Sequence, residues 1–219
     1  ADQSAFPATK QEIQSLLLPK PHAAESQLSS SRVDYFYFIN KKSQGLVDIH
    51  GNTIIPLTAN QAILPPSDNM LRLAKVEKKQ IAKAYYDLDA EVMVRISSSE
   101  KGKFGAFSHN LAPVSLDDEL FFIDKKGNKV IGGLSKAFLS NEGYRVVQKG
   151  SAFGAIDSTG AVVIPIEYTN SLTSVNNGRL GVQKNASWFY VDMKGQIVSD
   201  KYDRIGNFHQ GYASVCLNK

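Results

Sequence analysis

A four-residue turn, Asp-x-x-Gly, recurs along this chain and limits what it can fold into more than any other feature. The copies are Asp48-Ile-His-Gly51, Asp124-Lys-Lys-Gly127, Asp157-Ser-Thr-Gly160 and Asp192-Met-Lys-Gly195. Each stands between two short apolar runs, as in Phe153-Gly-Ala-Ile-Asp-Ser-Thr-Gly-Ala-Val-Val-Ile-Pro165. Such a segment has the chemistry of a β-hairpin. The Asp carboxylate can accept amide hydrogens two or three residues on, and the Gly can take the left-handed conformation of a G1 bulge.

The spacing makes the motif a ruler. Asp124 and Asp157 are 33 residues apart, Asp157 and Asp192 are 35 apart, and Asp48 and Asp124 are 76 apart, close to two periods. A further copy is therefore expected near residue 86, and Asp87-Leu-Asp-Ala90 lies there, with Ala where the others carry Gly. Five units then follow one another at 39, 37, 33 and 35 residues, a period that marks a repeat architecture. An apolar residue precedes every Asp: Val47, Tyr86, Ile123, Ile156 and Val191. Pro56 and Pro165 end the second strand of units one and four. About twenty residues after the Asp a further β-like run opens with Gly: Gly143-Tyr-Arg-Val-Val147, Gly178-Arg-Leu-Gly-Val182 and Gly211-Tyr-Ala-Ser-Val215. Asn69-Met-Leu-Arg-Leu73 and Gly102-Lys-Phe-Gly-Ala106 stand at the matching places in units one and two.

These runs predict an all-β fold. About five tandem units of three antiparallel strands, each a hairpin plus a third strand, stack into a curved array or a propeller-like ring, because one unit buries too little surface alone. The β-prone run Tyr35-Phe-Tyr-Phe-Ile39 is expected as an extra strand that caps the first repeat or meets the last one to close a ring.

At these residues the chain resembles the WG-repeat (KWG) family of bacterial proteins. That family's unit runs roughly Gly-Lys-Trp-Gly-x-Ile-Asp-x-x-Gly-x-x-Val-Ile-Pro-x-x-Tyr, then Phe-x-Glu-Gly-x-Ala-x-Val. Unit four has Phe153-Gly154, Ile156-Asp157, Gly160, Val163-Ile164-Pro165 and Tyr168, and unit five has Trp188, Val191-Asp192, Gly195, Tyr202-Asp203 and Phe208-His-Gln-Gly211-Tyr-Ala213-Ser-Val215. The Trp-Gly pair itself is replaced throughout, by Gln44-Gly45, Lys83-Ala84, Leu120-Phe121, Phe153-Gly154 and Trp188-Phe189. The resemblance covers residues 33 to 219, and implies an all-β binding scaffold without common catalytic residues.

Residues 1–31 read differently from the repeat domain at 32–219. Thr9-Lys-Gln-Glu12 has the form of a capping box, Ile13, Leu16 and Leu17 share one helical face, and Pro19 stops the helix. A short N-terminal amphipathic helix is expected, followed by a polar Pro- and Ser-rich linker to Ser31. The chain begins Ala1-Asp2-Gln3 without an initiator Met, as a protein does after signal-peptide removal or after trimming for expression. The first reading leads to an expectation of a periplasmic or secreted protein, with the cytoplasm as the alternative.

Composition narrows the function classes. No apolar stretch approaches the roughly 20 residues that span a bilayer. A net charge of +4 favours acidic surfaces but falls short of a nucleic-acid binder. Cys216 is the sole cysteine, which rules out an intrachain disulfide and any cysteine-based metal cluster, and its strand-like flanks suggest a packed thiol. His22, His50, His109 and His209 form no metal-ligand pair, and no nucleophile elbow or phosphate loop occurs. A calcium reading of the turn aspartates fails on ligand count, since calcium needs six to eight oxygens and one Asp recurs per turn. Asp117-Asp118-Glu119 is expected on a solvated loop. No metal, cofactor or catalytic residue is therefore assigned, and the protein is not expected to be an enzyme.

Two patterns remain as candidate binding residues. Turns between units carry Lys41, Lys42, Lys78, Lys79, Lys101, Lys103, Lys149 and Lys184, which superposed repeats would align into one basic row. Aromatics at equivalent positions mostly fill the core, but Tyr144 and Tyr212 are candidates for an outward face. The expected function is a non-enzymatic protein-binding scaffold of a bacterial envelope, of the kind that includes inhibitors and immunity proteins blocking a toxin or hydrolase. Its partner would be an acidic protein surface or an anionic cell-wall polymer. The alternative is a module that binds carbohydrate or cell-wall polymer.

Overall fold

A computed structural model describes residues 35–40, 42–77, 80–97 and 102–217. The expected N-terminal helix and linker, His22, and the candidate lysines Lys41, Lys78, Lys79 and Lys101 lie outside the described residues.

The described residues are all-β, without a helix, and form six small antiparallel sheets. Sheet one holds β1 (Tyr35–Asn40), β2 (Ser43–Asp48) and β3 (Thr53–Thr58). Sheet two holds β4 (Gln61–Ser67), β5 (Met70–Glu77), β6 (Gln80–Asp87) and β7 (Val92–Ser97). Sheet three holds β8 (Lys103–Phe104), β9 (Ala112–Leu116), β10 (Glu119–Ile123) and β11 (Lys129–Leu134). Sheet four holds β12 (Lys136–Asn141), β13 (Tyr144–Lys149), β14 (Ala152–Ile156) and β15 (Val162–Tyr168). Sheet five holds β16 (Asn170–Ser171), β17 (Arg179–Lys184) and β18 (Ser187–Asp192), and sheet six holds β19 (Arg204–Ile205) and β20 (Val215–Cys216). Every sheet runs in chain order as a meander.

Sheets two, three and four therefore have four strands, one more than the repeat pattern predicts, and the unit boundary shifts. The run after each Asp hairpin pairs forward, with the next hairpin: β13 pairs β14 from Arg145↔Ile156 to Lys149↔Ala152. The reason is loop closure, since a two-residue turn joins these strands and a short loop costs less entropy than a long one. For the same reason β1, the extra strand expected at Tyr35–Ile39, joins the first repeat and pairs β2 from Tyr35↔Asp48 to Asn40↔Ser43.

Unit two needs a second correction. The counterpart of Gly143–Val147 is β9 and the residues just before it, not Gly102–Ala106, which supplies β8. Ser108 and Leu111 exchange the same paired backbone bonds as Asn176 with Arg179 and His209 with Tyr212. In that unit the left-handed turn residues are His109 and Asn110, so no Gly flags the position. The Asp87 turn also differs: the left-handed residue is Glu91, one place beyond Ala90, with φ 55°.

Four apolar clusters form the core, one at each junction between consecutive sheets from one to five. Leu46 and Ile55 meet Ile63, Leu71, Leu73 and Tyr86 between sheets one and two. Met70, Tyr85 and Val94 meet Phe107, Ala112, Val114 and Ile123 between two and three. Leu111, Phe122 and Leu134 meet Val147 and Ile156 between three and four. Val146, Ala155 and Ile164 meet Leu180, Val182, Phe189 and Val191 between four and five. Neighbours on one strand thus serve opposite junctions, as Val146 and Val147 do, because side chains alternate faces along a strand. A continuous apolar run, rather than an alternating one, is what a strand buried on both faces requires. Each such side chain contributes about 1.5–3 kcal/mol, so sheets hold together by stacking.

Candidate functional site

The turn aspartates are consumed by their own hairpins. Asp48 Oδ1 accepts the amides of His50 and Asn52, both at 2.8 Å, and Oδ2 accepts Asn52 Nδ2 at 2.7 Å. Asp124 repeats the set with Lys126 (2.9 Å) and Asn128 (2.8 Å, and 2.9 Å to the side chain). Asp157 accepts the Thr159 amide at 2.8 Å, its hydroxyl at 2.6 Å and the Ala161 amide at 3.1 Å. Asp192 accepts Lys194 and Gln196, each at 2.9 Å. The Asn52 carboxamide, with the turn amides, holds Asp48 below the ordinary carboxylate value. At Asp124 and Asp157 partial burial works against the charge, but the side-chain and amide donors outweigh it and the net shift is again downward.

The turn glycines have a second role. Gly127 and Gly160 take φ of +86° and +87°, and a Cβ there would lie 2.7 Å from Val94 and 2.6 Å from Val130, both on the last strand of the preceding sheet. At these two positions the Asp turn is therefore also a point of close approach between sheets.

Because strands alternate in direction, the Asp turns share a rim with the turns before the second strand of sheets two to six. These are Asp68-Asn69, His109-Asn110, Glu142-Gly143, Asn177-Gly178 and Gln210-Gly211, with positive φ at both residues as in type I′ hairpins. They are latched sheet to sheet. Asp68 accepts the Asn110 amide at 2.8 Å, and Glu142 accepts those of Asn177 and Gly178. His109 Nδ1 lies 2.9 Å from Ser140 Oγ, and Asn141 donates to the Val175 carbonyl at 2.7 Å.

The candidate lysines fall on the opposite rim. Lys42 stands at the tip between β1 and β2, Lys149 and Lys184 stand at the tips between β13 and β14 and between β17 and β18, Lys103 starts the first strand of sheet three, and all four are exposed. The row is broken twice. Sheet three carries Asp117-Asp118 at its tip, an acidic hairpin turn and not a loop, and Lys184 pairs with Glu167 at 2.8 Å. Tyr144 and Tyr212 follow the left-handed turns and so sit at the other end of the sheets. Tyr144 packs on the cluster between sheets four and five, whereas Tyr212 is 82% exposed. Lysines and tyrosines do not form one site.

Of the remaining candidates, His50 and His209 are exposed turn residues, and Cys216 is half-buried beside the Arg204 guanidinium. Among the described residues no three His, Cys, Asp or Glu side chains are grouped as metal ligands, and no helix is long and apolar enough to cross a membrane.

One feature of the Asp-turn rim escaped sequence reasoning. Between the third and fourth Asp turns it opens into a cleft of about 310 Å³, lined by Asn110, Leu111, Asp124, Lys125, Lys126, Asn128, Ser158 and Thr159. The signal was the pair between Asp and Gly, which changes from unit to unit while the frame stays constant: Ile-His, Lys-Lys, Ser-Thr and Met-Lys.

Among solved structures the chain is similar to Porphyromonas gingivalis dipeptidyl peptidase 4 (14% identity, 72% of this chain and 29% of that one, TM-score 0.36). It is also similar to Kluyveromyces lactis Hsv2p (14%, 78% and 63%, TM-score 0.35) and to TolB from Acinetobacter baumannii (13%, 79% and 48%, TM-score 0.31). The chain spans less than two thirds of the length of each, and likenesses of this size support no argument about its function. No curated protein matches the sequence. A family model described as WG containing repeat matches twice in succession, over residues 153–188 and 188–219. The matched residues, 153–219, supply the last strands of sheet four and the strands of sheets five and six, and the match is to the family that the Asp turns resemble.

Proposed function

We propose that the chain is a non-enzymatic scaffold of the bacterial envelope, periplasmic or secreted, whose lysine-bearing rim docks an acidic surface of another protein. The supporting observation is the placement of Lys42, Lys149 and Lys184 at equivalent hairpin tips on one rim, all exposed. Such a row steers an acidic partner by its long-range field and sets register more than it adds affinity. The opposite rim favours binding over catalysis as well, since its recurrent carboxylates are already bonded within their own turns. An inhibitor or immunity protein that blocks a toxin or hydrolase is the subtype that fits a rigid stack presenting one charged rim.

The test is affinity capture from bacterial envelope extract with the full chain, beside a K42E/K149E/K184E variant. Retention of one acidic protein by the wild type and its loss from the variant supports the reading. Equal retention by both, or retention only on isolated glycans or peptidoglycan, overturns it.

A further inference from the structure

The cleft between the third and fourth Asp turns brings together groups that no other turn pair in the chain supplies. Lys125 and Lys126 occupy the middle of the third turn, and Ser158 and Thr159 the middle of the fourth. The corresponding pairs elsewhere are Ile49-His50, Leu88-Asp89 and Met193-Lys194, so the lysine pair facing a hydroxyl pair occurs once. Neither lysine closes a salt bridge to a carboxylate among the described residues; Lys126 only adds to the field on Asp124. The one carboxylate in the lining, Asp124, is turned inward to the amides of Lys126 and Asn128 and to the Asn128 side chain.

A third positive charge lies in the junction beneath. Arg145 is 6% exposed, stacks on the Phe122 ring at 4.8 Å, and donates to the carbonyls of Phe138 at 2.9 Å and Ser108 at 3.4 Å. Ser108 is bonded through its backbone to Leu111, which lines the cleft. A guanidinium stays charged at any physiological pH, and the Asp68 carboxylate lies near enough to offset part of its field.

We infer that this cleft binds a phosphate group. Lys125 and Lys126 supply the charge, and the Ser158 hydroxyl and the side-chain amide of Asn110 supply neutral donors, the Asn128 amide being bonded to Asp124. The Thr159 hydroxyl is committed to Asp157. Two ammonium groups act as point charges and suit a tetrahedral oxyanion, whereas a planar carboxylate is best matched by the fork of an arginine, which the lining lacks. The volume stands at the small end of ligand sites, enough for a phosphate with a small attached group. The site is on the rim opposite the lysine row, so it stands or falls independently of the protein-docking reading.

The experiment titrates the full chain at about 0.15 M ionic strength, where the Debye length is about 8 Å, with inorganic phosphate, with glucose 6-phosphate and with glucose, following backbone amide resonances. Both phosphates are expected to give saturable shifts at residues 124–128 and 158–160, and glucose none. K125Q/K126Q is expected to weaken binding at least about tenfold, while K149Q/K184Q changes it by less than about twofold, because charge acts over roughly a Debye length. Tighter binding of glucose 6-phosphate identifies a phosphorylated ligand, and equal binding identifies the free ion. No saturable shift with either phosphate, an equal response to glucose, or an unchanged affinity in K125Q/K126Q overturns the inference.

Discussion

Glu142 accepts the amide hydrogens of Asn177 and Gly178, at 2.7 and 2.8 Å, across the gap between sheets four and five. Both donors sit in a left-handed turn whose amides have no strand partner, so the carboxylate caps the next sheet much as an N-cap side chain serves a helix. Asp68 does the same for Asn110 between sheets two and three. Glu142→Ala should cost about 1–2 kcal/mol, and Glu142→Gln less, because an amide oxygen still accepts. The check is the urea midpoint together with hydrogen exchange, which should quicken at Asn177 and Gly178 in the Ala variant.

Gly51 and Gly160 separate the two roles of the turn glycine. Their φ values are +79° and +87°, yet a Cβ on Gly51 would meet nothing within 4 Å, whereas one on Gly160 would stand 2.6 Å from Val130 Cγ2 and 2.9 Å from its Cβ. Gly51→Ala should therefore lose about 1–2 kcal/mol, the cost of the left-handed conformation alone. Gly160→Ala should lose a further 1–3 kcal/mol or so, as sheet three is pushed from sheet four. Equal denaturation midpoints for the two variants would show that close approach at this turn is not part of the stacking.

Tyr85 and Tyr190 each stand two residues before a turn Asp, and their hydroxyls donate to the carbonyls of Gly105 at 2.7 Å and Gly206 at 2.6 Å, both in the following sheet. Replacing either by Phe leaves that carbonyl without its donor, at about 1–2 kcal/mol. For Tyr190 the chain's single tryptophan, Trp188, on the same strand, gives a fluorescence readout of sheet five. Burial also pushes both phenols above the ordinary value of 10.0. A raised folded pKa gives stability that is complete below pH 10 and is lost as pH rises through the folded value. Absorbance titration should show Tyr85 un-ionised until the protein unfolds, and Tyr85→Phe should remove part of the alkaline loss.

Acid acts with the opposite sign. Asp48, Asp124 and Asp157 are held below their ordinary value of 3.8, and Glu119, bonded to Lys129 and the Gly133 amide, below 4.5. Depressed folded values give stability that is present above the unfolded pKa and is lost as pH falls through the folded one. Melting temperature should hold from neutral pH down to about pH 5 and fall below about pH 4. A D124N/D157N variant, whose turn oxygens accept without charge, should start lower and fall less steeply. An equal slope in both proteins would locate the acid sensitivity elsewhere.

Much of this architecture was legible because it is written in local chemistry. The Asp turns gave strand, turn and period from side chains that bond two and four residues away, and Asp87 could be found by counting even without its Gly. Sheet membership was not legible, because the repeat count groups the run at Gly143–Val147 with the Asp hairpin before it, whereas the two-residue turn at Gly150 and Ser151 joins it to the hairpin after it. Unit two hid its register because His109 and Asn110 take the left-handed conformation that Gly marks elsewhere. The lysine row was found as a pattern, but its break at Asp117-Asp118 depends on which turns share a rim. The cleft at Lys125 and Ser158 depends on stacking between units, which no single repeat encodes.

Asp117 and Asp118 interrupt the lysine rim at the tip between β9 and β10, where Lys149 and Lys184 stand in the following sheets. Both aspartates have positive φ, 49° and 63°, a conformation that Asn accepts as readily as Asp and Lys does not. D117N/D118N therefore removes two negative charges without straining the hairpin, and raises the net charge from +4 to +6. If the rim acts as one field, the variant should need more salt for elution from immobilised polyglutamate, and K42E/K149E/K184E less. K125Q/K126Q, which lowers the charge from +4 to +2 on the far rim, controls for net charge. Elution that tracks net charge alone, with that control shifted as far per charge as the rim variants, would mean that the lysine tips do not act together.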